Sequence, residues 1–497
     1  MLTNAMALFH SSQIKDCERA AMADLPVTET ELMARAGLAA FDCLRQHFPH
    51  AHKLAVFCGS GNNAGDGYVL ARLAHEAAYQ VSIHQYKAPE HLPPSARAAA
   101  EAAILAGIPC HFMSSNDIDD TVDQDADLIV DALLGTGLNG LVQEPMTAAI
   151  QLVNSSELPV LSLDVPSGLN ADTGQVMGTC ARAAVTITFI ACKTGLKTLD
   201  GPDHCGDLHI DDLGIAAYLS SMTPIAHTLK ADSSSPLLPR RRRNCHKRDF
   251  GHVLVIGGDY GMAGAVFLAA QAALRVGAGM VSIATRPEHA RTVLAQMPEL
   301  MVHGIRRVED LLPLISNASH CIIGPGLGLS DWADQLFHQV IASQLPMIID
   351  ASALRLLAQF PQHDDNWVLT PHPGEAASLL ACSVQAVQQD RYQAVSDLQA
   401  TFGGQIVLKG NGSLLCTDKS SLYLCDAGNP GMASAGMGDV LSGVIAGLAA
   451  QGLSLADAAK LGVWIHARAG DLAAQQQGER GLIASDLLPW LRQLVNE

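Results

Sequence analysis

Short apolar runs alternate with longer amphipathic stretches along almost the whole chain. In the first half, residues 54–58, 81–84, 128–134, 160–164 and 185–190 read as buried strands. Between them, 66–79 and 96–106 carry helical spacing, the second opened by Pro93 and Pro94. Near-continuous apolar strands separated by helices predict a parallel sheet covered on both faces, an α/β fold. The alternation stops after Ile215 and resumes at His252. There the expected strands are 253–256, 281–284, 321–323, 347–349, 367–369 and 406–408, with helices over 263–276, 331–342 and 439–450.

Between the two series, residues 223–246 are rich in proline and serine and include four consecutive arginines, Arg240 to Arg243. That composition predicts a solvated connector. The expected organisation is a first domain over 1–222, a linker over 223–245 and a second domain over 246–497. No short repeat period points to a solenoid or propeller.

The 497 residues are 48% hydrophobic and 16% charged, which suits sizeable cores and excludes a disordered chain. No apolar run approaches the ~18–20 residues of a membrane span. Lys and Arg number 31 against 49 Asp and Glu, a net charge of −18, which argues against a nucleic-acid or anionic-membrane surface. Such a chain can still bind phosphate where backbone amides and a few cations gather. The 12 cysteines run from Cys17 to Cys425 with no C-x-x-C pair, so zinc ribbons and disulfide frameworks do not fit. With no signal-peptide pattern in MLTNAMALFHSSQ, a cytoplasmic protein is expected.

Candidate chemistry gathers at strand ends. Val56-Phe-Cys-Gly-Ser-Gly-Asn-Asn-Ala-Gly-Asp-Gly67 runs from a strand into a helix, and its glycines let backbone approach a ligand. It matches neither the G-x-G-x-x-G fingerprint nor a P-loop. Asp131 closes one strand before the Gly135-Thr-Gly137 loop, and Asp164 closes another before Val165-Pro-Ser-Gly-Leu169. Each aspartate could simply cap the next loop. Together, on the edge where α/β sheets form their crevice, they point to a site. Asn63, Asp131 and Ser167 would then offer oxygen ligands for a hard cation.

In the second half, Ala435-Gly-Met-Gly-Asp-Val-Leu-Ser-Gly443 puts glycines and Asp439 at a helix start, where bare amides can stabilise phosphate. A capping role for Asp439 is the alternative. Lys409-Gly-Asn-Gly-Ser413 follows a strand and offers amides, a cation and a hydroxyl, or else forms a plain hairpin. His372 in Thr370-Pro-His-Pro-Gly-Glu375 lies at another strand end, with no other His or Cys at zinc-ligand spacing. Gly257 to Ala265 and Gly324 to Gly328 are two further glycine-rich strand ends.

The first set, G-x-G-N-N-x-G-D-G, V-D-A-L-L-G-T-G and D-V-P-S-G-L, resembles the NAD(P)H-hydrate epimerase domain of the bifunctional NAD(P)H-hydrate repair enzymes. The second, T-P-H-P-G-E, K-G-x-G-S and A-G-M-G-D in that order, is similar to their ADP-dependent dehydratase domain. The resemblance implies a Rossmann-like three-layer domain followed by a ribokinase-like α/β domain. It implies interconversion of the R and S hydrates of NADH and NADPH, then dehydration of the S hydrate with ADP, giving AMP and phosphate. In the first site it implies potassium on Asn63, Asp131 and Ser167, and substrate contacts from Asn62, Asn63, Ala64, Gly65, Asp66, Gly135, Thr136, Gly137, Leu138, Asn139, Gly140, Leu141 and Asp164. Asp164 would handle the proton, with Lys193 nearby in Phe189-Ile-Ala-Cys-Lys193. In the second site Ala265, Gly326, His372 and Asp439 would line the hydrate pocket. Lys409, Gly410, Asn411, Gly412, Ser413 and Gly438 would bind the nucleotide. Asp439 would act as base, the Gly436 to Gly438 amides would stabilise the transferring phosphoryl, and Glu375 would take part from outside. Magnesium is expected beside ADP, because phosphoryl transfer develops charge that a divalent ion neutralises. A homo-oligomer is expected, with no nucleic-acid or membrane partner. The alternative is a ribokinase-like kinase of a small vitamin precursor, with an N-terminal nucleotide-sensing or protein-binding domain.

Overall fold

The computed structural model describes residues 2–113, 125–231, 238–418 and 421–497. Contacts divide the chain into two units, residues 6–226 and residues 227–497 with 1–5. The division therefore falls between Ala226 and His227 instead of spreading over 223–245. Part of the expected linker is a strand, Ala226–Ala231, because His227 and Thr228 pair with Tyr423 and Leu424. Residues 232–237, the serine-rich piece of that linker, lie outside the described residues.

The strands of the first half are β1 (Leu2–Phe9), β2 (Lys53–Cys58), β3 (Gln80–Gln85), β4 (Cys110–Phe112), β5 (Leu128–Ala132), β6 (Val160–Leu163), β7 (Val185–Phe189), β8 (Cys192–Lys193) and β9 (Asp207–Asp211). In the first unit a parallel sheet runs β4-β3-β2-β5-β6-β7-β9, and β8 pairs with β1 through Leu8 and Cys192. Alternation along β2 divides its side chains between two cores. Val56 and Cys58 join the cluster under the helices Glu29–His47, Asn62–Glu76 and Pro94–Leu105, whereas Ala55 and Phe57 pack with the helix Met146–Ser155. Strand order reverses between β2 and β5, so the crevice beyond Cys58 and Ala132 is the place for a ligand.

Two boundaries differ from expectation. The strand expected over 128–134 ends at Ala132, and the helix expected from Asp66 begins at Asn62. The glycine-rich turn is thus already helix, capped by Gly61, and Ala64 lies fully buried on its inner side.

The second unit contains β10 (Ala226–Ala231), β11 (His252–Ile256), β12 (Met280–Thr285), β13 (Met301–Gly304), β14 (His320–Ile323), β15 (Met347–Ile349), β16 (Trp367–Leu369), β17 (Gln405–Leu408), β18 (Ser413–Asp418) and β19 (Ser421–Cys425). Its sheet runs β13-β12-β11-β14-β15-β16-β17-β18-β19-β10, parallel except where β18 runs against both neighbours. Lys409 to Gly412 is therefore the turn of a hairpin, as well as a candidate phosphate loop. Val253, Ile283, Ile322, Ile348 and Val368 share a core with the helices Ala263–Arg275, Met437–Ala450 and Leu455–Gln477. The first two of these helices pack so closely that a Cβ at Gly443 would stand 2.1 Å from the Ala269 carbonyl oxygen. From the arginine run, Arg241 donates to the Gly277 carbonyl and Gln451 Oε1, just past the ends of those same two helices, and stacks 3.7 Å over Phe250. No helix among the described residues is long and apolar enough to cross a membrane.

Two candidate active sites

The first unit holds a cavity of about 640 Å³ at the carboxyl ends of its strands, lined by Asn62, Asn63, Asp66, Gly135 to Asn139, Asp164 and Lys193. These come from four separate sequence segments, which the sheet edge brings together. Four other residues expected to touch substrate do not line it. Ala64 and Gly65 are buried on the inner side of their helix, where a Cβ on Gly65 would strike Met33; Gly140 is absent from the lining and Leu141 is exposed.

Asp164 adopts φ +65°, an uncommon conformation for a residue with a side chain, and one that clusters at functional sites. Lys193, 1% exposed, donates to Asp164 Oδ1, Thr188 Oγ1 at 2.9 Å and the Phe189 carbonyl at 2.8 Å. All three ammonium protons are thereby used. Thr188 Oγ1 and the Phe189 amide also lean on Asp164 Oδ1, at 3.3 and 3.4 Å. Asp164 Oδ2 carries no hydrogen bond among the described residues. Burial holds the Asp66 carboxyl well above the ordinary carboxylate range, and the charges of Asp164 and Glu18 add to that. Glu18 is raised in the same way, first by burial and then by Asp164.

Two of the expected cation ligands, Asn63 and Ser167, bond Leu134, and the third, Asp131, bonds Ser167. Asn63 Nδ2 donates to the Leu134 carbonyl at 3.0 Å, and the Leu134 amide donates to Ser167 Oγ at 2.8 Å. Asp131, fully buried, accepts from Ser162 Oγ, from the Ser167 amide and hydroxyl, and from the Leu133 amide. Burial raises its pKa against the pull of those donors. Asn63 Oδ1 is buried with no partner among the described residues. An orphaned oxygen near a desolvated carboxylate fits a hard cation.

In the second unit the site runs along the ends of β15, β16 and β17. Lys409 Nζ lies 2.9 Å from Asp350 Oδ1 and 3.8 Å from Glu375 Oε2. Ser442 Oγ donates to Asp350 Oδ2 at 2.8 Å. Burial alone would raise Asp350, but Lys409 and the Ser442 and Thr370 hydroxyls together outweigh it and hold the carboxyl below its ordinary range. Asp439 has no ion-pair or hydrogen-bond partner of this kind among the described residues. Burial and the Asp350 charge push it up to about 7, against the pull of Lys409.

Gly436, left-handed at φ +89°, caps the helix Met437–Ala450 and leaves its first amides bare. A Cβ on Gly438 would stand 3.2 Å from Lys409 Nζ, so the ammonium lies close against this backbone. His466 bonds the Met437 backbone and burial pushes it down to about 4, so it stands neutral behind this turn. Arg391, buried, donates to the Asn411, Leu408 and Lys409 carbonyls and so braces the Lys409 to Gly412 turn from below. At the neighbouring strand ends, a Cβ on Gly326 would stand 3.2 Å from the Ala265 Cβ, so these two residues lie close together. His372 Nδ1 accepts the Gly374 and Glu375 amides as a helix cap, and the ring is half exposed. No group of three or more His, Cys, Asp or Glu suited to a metal occurs among the described residues.

Sequence reasoning missed Glu18, Asp350 and Arg391. Asp350 closes a strand just as Asp131 and Asp164 do, so the same signal could have found it. Glu18 and Arg391 sit on helices, where spacing alone marks no chemistry.

Comparison with known proteins adds two family models. "YjeF-related protein N-terminus" matches residues 29–195, and "NAD(P)H-hydrate dehydratase" matches residues 253–492. The bifunctional NAD(P)H-hydrate repair enzyme Nnr of Coxiella burnetii is 48% identical, covering 98% of this chain and 99% of its own. That of Escherichia coli is 43% identical, covering 98% and 94%. Among solved structures, the ADP/ATP-dependent NAD(P)H-hydrate dehydratase of Bacillus subtilis, co-crystallised with ATP and magnesium, is 27% identical with a TM-score of 0.47, covering 52% of this chain and 93% of its own. With such identity sustained over nearly its entire length, the chain belongs to the bifunctional NAD(P)H-hydrate repair enzymes.

Proposed function

We propose that this chain restores damaged NADH and NADPH in two steps, epimerising their hydrates in the first unit and dehydrating the S hydrate in the second. The carrying observation is that one chain holds two separate strand-end sites, each within the span of its own family model. In the first, Asp164 handles the proton that epimerisation of the hydrated carbon moves, and Lys193 fixes its orientation through Oδ1. Asn63, Asp131 and Ser167 would hold potassium, which would brace the loop at Leu134 under the substrate.

In the second, Asp439 takes the hydroxyl proton of the hydrate, and the freed oxygen attacks the β-phosphorus of ADP. AMP departs. Phosphate then leaves the carbon with its bonding electrons, a neighbouring proton is lost, and the ring double bond re-forms. Lys409 and the amides of Gly436 to Gly438 face the charge that develops on the phosphoryl. Magnesium would be held chiefly by the nucleotide's own phosphates, its commonest mode. Soluble NAD(P)H hydrates and ADP are the partners, and the protein works in the cytoplasm as a homo-oligomer.

Purified protein incubated with mixed hydrate epimers and ADP should convert the whole pool to reduced cofactor, read by dihydronicotinamide absorbance, with equimolar AMP and phosphate. ADP should support this far better than ATP. A stable phosphorylated alcohol in place of phosphate would make the second unit a kinase instead.

A further inference from the structure

Replacing the hydroxyl on a carbon beside a ring nitrogen needs two proton transfers. One group must protonate the departing hydroxyl, and another must take a proton from the incoming water. Asp164 suits the second task, because Lys193 holds its Oδ1 in place and leaves Oδ2 open to accept a proton. The cavity offers another carboxyl. Glu18, on the helix Ser11–Asp24, lines the same space as Asp164 and Lys193 and accepts no hydrogen bond among the described residues. This helix precedes the segment that the family model matches, residues 29–195.

The charged groups facing Glu18 are Lys15 on its own helix, Glu29 on the next, Asp66, Asp164 and Lys193. Burial and the Asp164 charge raise it, and Lys193 and Lys15 offset only part of that. Two carboxyls in one cavity, one paired with a cation and one pushed towards its neutral form, divide the roles of base and acid between them. Asp66 is held further from ionisation and gives up its proton less readily.

Resting on the epimerase reading above, we propose that Glu18 is the acid of the first site and Asp164 its base. The Glu18 carboxyl proton passes to the departing hydroxyl, the carbon–oxygen bond breaks, and water leaves as the ring-nitrogen lone pair forms a carbon–nitrogen double bond. A water adds to the other face of that carbon and yields a proton to Asp164 Oδ2. One water leaves and one enters, with no change of oxidation state. Solvent then returns the proton from Asp164 to Glu18.

Glu18→Gln keeps the shape and loses the proton. It should slow R-to-S interconversion by about 10² to 10⁴, and slow uptake of isotopically labelled water oxygen into the hydrate equally. Dehydration of S hydrate should stay within about twofold in the same sample. In the wild type, epimerisation should fall on the alkaline side as the acid ionises, and Glu18→Gln should lack that limb. Interconversion within a few-fold of wild type would overturn the assignment, as would an alkaline limb persisting in Glu18→Gln and vanishing in Asp66→Asn. Absence of epimerisation in the wild type itself would instead defeat the underlying reading.

Discussion

Each unit sets a lysine against an aspartate at the end of a parallel strand, and the two lysines are used differently. Lys193 is 1% exposed and gives its three protons to Asp164, Thr188 and Phe189. It has nothing left for a ligand and serves to fix the aim of Asp164. Lys409 has a side chain 22% exposed, with one close partner at 2.9 Å and one at 3.8 Å. A donor remains for a phosphate oxygen, beside a helix start whose amides are bare. On the proposed function, the same residue pair orients a base in one unit and receives an anion in the other. The number of donors already satisfied decides which.

The strongest challenge to this comparison is Asp439→Asn. Asn can still sit at a helix start, so the fold should persist, but it cannot take the hydroxyl proton. ADP-dependent formation of NADH should drop by about 10² to 10⁴ while R-to-S interconversion continues. Because Asp439 sits at about 7, it holds its own proton below that value, so the wild-type dehydration rate should decline as pH falls through it. Stability runs the opposite way. The folded state keeps a proton that the unfolded chain has already lost, so stability declines as pH rises from the ordinary carboxylate range to about 7. Asp439→Asn should therefore melt above the wild type at about pH 8 and not at about pH 4. Loss of both activities in a folded variant would sink the separation into two sites.

Legibility in the sequence followed the backbone's needs. Asp131, Asp164 and Lys409 were readable because each closes an apolar run and opens a turn, and the sheet then places those ends on one edge. Gly443, in the motif from Ala435, was readable because two backbones approach there too closely for a Cβ, the Ala269 carbonyl oxygen lying 2.1 Å away from one. Glu18 and Arg391 were not, since a charged residue on an amphipathic helix looks the same whether it faces solvent or a cavity. The helix start at Asn62 was hidden because glycines at 65 and 67 suggest a loop, whereas here they allow close packing on Met33 and Ala132. The strand Ala226–Ala231 was obscured by prolines and serines on either side, and its partner β19 is remote in sequence.

A sharper test exchanges the lysines one at a time. Lys409→Gln should weaken ADP binding by about 10- to 100-fold, the worth of a charged hydrogen bond of about 1.5–3 kcal/mol. Lys193→Gln should leave ADP binding unchanged and lower the epimerase kcat. Equilibrium titration with ADP reads the first directly. Unchanged affinity in Lys409→Gln would erase the contrast between a used and an available ammonium.

Potassium should separate the units by stability. With free ion about 100-fold above its Kd, a single site adds about 2.7 kcal/mol to the unit that binds it. In calorimetry, only the transition of the first unit should rise with potassium chloride, against choline chloride at equal ionic strength. Asp131→Asn should abolish that response. A rise in the second unit's transition alone would place the ion elsewhere.

The smallest expected effect concerns Arg241, which the sequence offered only as part of a solvated run. Its guanidinium reaches the Gly277 carbonyl and Gln451 Oε1 and lies 3.7 Å over Phe250. Gly277 and Gln451 follow the last turns of Ala263–Arg275 and Met437–Ala450, where a cation meets the negative ends of both helix dipoles. The second of these helices presents Asp439 and the bare amides at its other end, so a weaker C-terminal anchor still leaves its packed body in place. Dipole and ring contacts at an exposed site together contribute about 0.5–2 kcal/mol. Arg241→Ala should lower only the second unit's melting transition by that amount, with ADP affinity and epimerisation unchanged. Arg240→Ala, Arg242→Ala and Arg243→Ala should each stay within about 0.5 kcal/mol of the wild type, as exposed substitutions do. Equal losses at all four positions would mean that the run acts through its summed charge instead of through one docked side chain.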